Sequence, residues 1–173
     1  MFETLSVEYG ATHYRWEAYR TGRLVTLCGA VGFACLLSFS TLLSRISDVN
    51  LVLVGMSIMA AACLLLVPIG ATQPTEGQFL GSVLLMYGVG YPVGHTALIG
   101  VFALMMKTGR QGTLMGYFGS AGSLARVVFP ILAGVLSDIY DDTAIFLVMA
   151  GLLLVSAAIY KSCLDTVIEV IES

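Results

Sequence analysis

The chain has 173 residues, a hydrophobic fraction of 58%, a charged fraction of 11% and a mean hydropathy of +0.92. A soluble domain carries about 25% charged residues and would have to hide several runs of about 20 apolar residues, so the composition points to an all-α, polytopic membrane helix bundle. The net charge of −3 comes with no basic tract, which removes the case for nucleic-acid binding, and the four cysteines (Cys28, Cys35, Cys63 and Cys163) show no metal-ligand spacing.

Residues 1–23, MFETLSVEYGATHYRWEAYRTGR, are polar and aromatic, with three Glu and three Arg. Their acidic start, with no short apolar stretch and cleavage site behind it, is unlike a signal peptide. Tyr9, Tyr14, Trp16 and Tyr19 suit either a loop or a segment lying among lipid headgroups. A first span is expected over 24–43, followed by SRISDVN, and a second over 51–70, with Pro68 near its end. The loop ATQPTEGQ leads to a third span, 79–106, interrupted by YGVGYPVG. Gly88, Gly90, Pro92 and Gly94 fall within seven residues there, as in membrane helices that carry a hinge or a binding region; close helix packing asks for the same residues.

The fourth span, 113–137, is TLMGYFGSAGSLARVVFPILAGVLS. Its one charge, Arg126, sits near the middle among Gly116, Gly119, Gly122, Ser123 and Pro130. A guanidinium at that depth must face protein or a wet cavity, and the small residues let neighbouring helices approach. The fifth span is expected over 144–160, and residues 161–173 form a polar tail. Five spans with short loops make a single domain over residues 1–173, with its two ends on opposite sides of the bilayer. Arg45, Lys107 and Arg110 share one side, which the positive-inside rule makes cytoplasmic, although Arg15, Arg20 and Arg23 fall on the other.

Arg126 is the main candidate for binding an anion, through a fixed charge and a planar donor fork; tying helices together is its alternative use. Tyr87, Tyr91 and His95 recur at helical spacing and share a face, so they can line the same cavity, with His95 able to carry a proton; packing is the competing explanation. Ser123 lies on the Arg126 face. No nucleophile–His–acid set, phosphate-cradling loop, cofactor motif or metal cluster can be assembled, so no enzyme is expected.

These residues resemble the major facilitator superfamily over nearly the whole chain. FET at 2–4, followed by a Tyr/Trp segment and a span, resembles the junction after the seventh helix. SRISDVN, with Arg45 and Asp48, sits where the family has its loop between helices eight and nine. GVGYPVG resembles the kinked tenth helix, and GRQGTLMGYFGSAGSLARVVFP the entry and middle of the eleventh. The pattern GYPV, QG, MG and a Gly/Ser run ending in Ala-Arg and Pro is most similar to the lysosomal facilitator domain-containing branch linked to neuronal ceroid lipofuscinosis. Vacuolar phosphate carriers are a related alternative. The resemblance implies a secondary transporter of a small anionic solute in an endolysosomal or vacuolar membrane. It also implies that the chain corresponds to helices eight to twelve with the end of seven, a fragment that would need the missing N-terminal half or another membrane chain to enclose a path. The alternative is a non-transporting helical protein that associates with other membrane chains through its small-residue faces.

Overall fold

The computed structural model describes residues 2–39, 41, 46–68, 74–105, 111–140, 142–166 and 168. Every regular element among them is a helix: α1 (Phe2–Tyr14), α2 (Ala18–Leu37), α3 (Asp48–Leu64), α4 (Glu76–Met105), α5 (Gln111–Ile139) and α6 (Asp142–Ser162). α2, α4, α5 and α6 are each long and apolar enough to cross a bilayer. The second expected span differs. Its helix, α3, has 17 residues, about 25 Å at 1.5 Å per residue, and gives way to a turn before Pro68, which has no N–H to continue a helix. Residues 69–70 of that span lie outside the described residues, as do Arg45, Lys107 and Arg110.

Residues 2–14, read from sequence as a loop or a headgroup segment, form helix α1 instead. Phe2, Tyr9 and Trp16 are buried rather than laid on a surface. The chain reverses after α1 through Arg15, whose φ of 52° is a left-handed conformation suited to closing a helix. Trp16 N–H then donates to Gly10 O (3.1 Å), and its indole ring lies over Gly10. Across from this turn, Thr75 and Gln78 form a reciprocal capping box that starts α4. The two ends are bound together: Tyr14 Oη donates to Pro74 O (2.7 Å), Trp16 Nε1 donates to Glu76 Oε1 (3.0 Å), and Arg20 pairs with Glu76. Tyr9, Tyr14 and Trp16 surround the ring of Phe79 with centroids 5.4–5.5 Å away. Aromatic rings packed offset or edge-on in this way contribute beyond the area they bury.

α3 lies against both α4 and α6, and α2 packs against the middle of α4. That middle, Leu84–Gly90, is π-helical, a local widening and underwinding that the Gly-rich interruption allows without breaking the helix. The glycines there serve close approach. A Cβ on Gly88 would meet Val31 at 2.9 Å and one on Gly90 would meet Met59 at 2.8 Å. Gly55 of α3 and Gly94 of α4 touch backbone to backbone. Ser82, fully buried, fastens the same pair of helices by donating to Ala62 O (2.6 Å). Cys28 and Cys63 are buried free thiols, and Cys163 is exposed.

Candidate functional site

α1, α2, α4 and α5 enclose an open cavity of about 740 Å³. It runs along α2 from Thr21 to Leu36, about 22 Å at the rise of a helix. Three sequence-predicted residues meet on its wall: Tyr87 and Tyr91 from α4, and Arg126 from α5. Among the described residues lining it, Arg126 is the only one with a charge. No described carboxylate pairs with this guanidinium, so its donor fork is available. The cavity's other walls were not singled out from sequence. They come from α1 (Phe2, Ser6, Val7) and from α2 (Leu24, Val25, Gly29, Phe33). The aromatic residues of 1–23 were read for their amphipathic character, which does not distinguish a headgroup segment from a cavity wall.

His95 and Ser123 stand apart. His95 stacks on Tyr91 with ring centroids 5.0 Å apart and planes 11° from parallel, and on its other side approaches Phe118 of α5 at 6.4 Å. It therefore backs a cavity residue without lining the cavity. Ser123 donates to Gly119 O (3.0 Å) within its own helix. Pro92 lines the cavity and packs where a Cβ on Gly32 would point, its Cγ 3.2 Å from that position. Gly116, Gly119 and Gly122 face open space, with nothing within 4 Å of an added Cβ, and Pro130 sits inside an uninterrupted α5. Asp48 opens α3; its Oδ1 and Tyr160 Oη are buried without a hydrogen-bond partner among the described residues, and its other carboxylate oxygen lies beside Gly100. The side chain of Glu3 lies outside the described residues. Among the described residues, no group of three His, Cys, Asp or Glu side chains is placed to hold a metal ion.

Chemically, the wall offers one fixed cation, two phenols and a large apolar surface. Among the described lining residues, no base is present to activate a nucleophile. The chain matches no curated protein and no solved structure. Residues 1–130 do match the family model of the Major Facilitator Superfamily, whose members are transporters, not enzymes. With 130 of 173 residues inside that match and a helical bundle built from membrane-spanning elements, the chain is a multi-pass membrane protein that belongs to the Major Facilitator Superfamily.

Proposed function

We propose that this chain supplies solute-binding helices of a secondary transporter that moves a small anionic solute, with Arg126 as the contact to its charge. The observation that carries the reading is the position of Arg126: on the wall of a cavity it alone charges among the described residues, a wall it shares with Tyr87 and Tyr91, and with no described carboxylate paired to it. A guanidinium so placed attracts an oxyanion through its charge and grips it through parallel N–H donors. Alternating access then requires a second bundle across the cavity, from the same polypeptide or from another membrane chain. The π-helical stretch Leu84–Gly90 and Pro92 form the flexing part of the wall. The endolysosomal or vacuolar membrane is supported by the resemblance of the GYPV and Gly/Ser-Ala-Arg-Pro pattern, and the cytoplasmic placement of the loops carrying Arg45, Lys107 and Arg110 by their charge.

Uptake of radiolabelled anions into vesicles carrying the transporter tests this reading. Arg126→Ala abolishes uptake while leaving amount, targeting and thermal stability as in the wild type, and Arg126→Lys restores part of it. Wild-type uptake by Arg126→Ala would remove Arg126 from the mechanism.

A further inference from the structure

Resting on that reading of Arg126, we infer that the solute is an organic monocarboxylate with an apolar body, rather than a compact inorganic anion. Two features of the cavity carry this. The first is charge: the lining provides one guanidinium and no second cation among the described residues. One guanidinium neutralises one carboxylate and matches its two oxygens, whereas a dianion brought into the same site keeps an uncompensated charge next to apolar walls. The second is size and surface. About 740 Å³ lies within the range of about 300–1,000 Å³ that holds organic ligands, far more than a small oxyanion fills. The rest of the lining includes the apolar side chains of Phe2, Trp16, Leu24, Val25, Phe33 and Met86. An inorganic anion leaves those side chains uncovered; an alkyl or aryl body buries them. The head group therefore sits between Arg126 and the phenols of Tyr87 and Tyr91, and the body extends along α2.

The chain carries its own reporter, because its single tryptophan, Trp16, lines this cavity. The intrinsic fluorescence of the purified chain in detergent is titrated with hexanoate, hexanamide, acetate and inorganic phosphate, for the wild type and for Arg126→Gln. Hexanoate is expected to give a saturable change at a concentration about tenfold or more below that for hexanamide, the step expected of a charge-assisted hydrogen bond. Acetate and phosphate each require at least about tenfold more than hexanoate, since neither covers the apolar wall. Arg126→Gln removes the preference for hexanoate over hexanamide. If phosphate or acetate binds the wild type as tightly as hexanoate and loses that binding in Arg126→Gln, the substrate class is overturned while anion recognition by Arg126 stands. If hexanoate and hexanamide bind the wild type equally, or if Arg126→Gln keeps the preference, both readings fall. The wild-type series decides the substrate class even where the variant does not fold.

Discussion

Replacing Gly55 with alanine should force α3 and α4 apart, because a methyl group there has nowhere to go. The added Cβ would overlap Gly94 Cα and would lie 2.6 Å from Gly94 N and 3.1 Å from Gly90 O. All three obstacles are backbone atoms of α4, so no side-chain rotation relieves them. Overpacking a well-fitted contact costs about 1–3 kcal/mol, and an obstacle that cannot rotate away puts Gly55→Ala in the upper part of that range. The helix-propensity gain of alanine over glycine, about 0.5–1 kcal/mol, offsets only part of it. For a chain of this size the net loss corresponds to a fall in Tm of about 3–8 °C. Gly116→Ala is the matched control. It is also a helical glycine, but nothing lies within 4 Å of its added Cβ, so it should melt at or about 2–4 °C above the wild type. Both variants are read by thermal unfolding of the purified chain in one detergent. Equal melting of Gly55→Ala and the wild type would refute the backbone contact between α3 and α4, and with it the arrangement that holds Tyr87 and Tyr91 on the cavity wall.

Other consequences concern the two ends of the bundle and the aromatic stack behind the site. Glu76→Ala strands the Nε1–H of the buried Trp16, a loss of about 1–3 kcal/mol, whereas the half-exposed Arg20 pair adds little; a red-shifted Trp16 emission and a lowered Tm are expected, and unchanged emission would refute the bond. Burial holds the Tyr14 phenol above its ordinary value of about 10, the charge of Glu76 acts in the same direction, and the hydrogen bond with Tyr9 opposes them. The folded chain therefore keeps that proton longer than the unfolded one, and the associated stability is present below about pH 10 and lost as pH rises through the raised value. Tyr14→Phe should flatten the fall of Tm above pH 10, and an unaltered slope would contradict this. Tyr160→Phe removes a buried hydroxyl that has no partner among the described residues and should leave Tm unchanged or raised by a few degrees; a marked loss would mean that the hydroxyl is bonded. His95→Phe keeps the stack on Tyr91 and should retain anion binding, while His95→Ala should weaken it several-fold; binding by His95→Ala equal to the wild type would separate that stack from the site.

The long apolar helices were legible because apolar length tracks bilayer thickness, and the described bounds of α4, α5 and α6 lie within a few residues of the apolar runs. Arg126 stood out for the same reason, as one charge in a 25-residue apolar run, and the structure sets it on a cavity wall. Which glycines make contacts was not legible. The stripe Gly116, Gly119 and Gly122 advertises close packing yet faces open space, while Gly55, a solitary glycine in α3, meets the backbone of α4. Close approach belongs to a pair of helices, and a sequence shows only one of them at a time. The interruption YGVGYPVG announced a departure from the regular helix, but glycine and proline do not specify whether the backbone kinks or underwinds; here it underwinds over Leu84–Gly90. The role of α1 was hidden by composition. Its tyrosines and Trp16 fit a headgroup layer as well as they fit the ring cluster around Phe79, and only the reversal at Arg15 decides between the two.

The central claim is that the space beside Arg126 is a water-filled solute path within the membrane, and thiol labelling tests it most directly. Phe33 and Leu124 are almost equally exposed on the chain, at 64% and 65%. Phe33 lines the cavity; Leu124 does not, and two residues from Arg126 it lies on nearly the opposite side of α5. With the native cysteines replaced, Phe33→Cys and Leu124→Cys are treated in membranes with an anionic, membrane-impermeant thiol reagent. The account predicts rapid labelling at 33, slowed by a bound organic anion, and none at 124. Labelling at 124 with protection at 33 would contradict it.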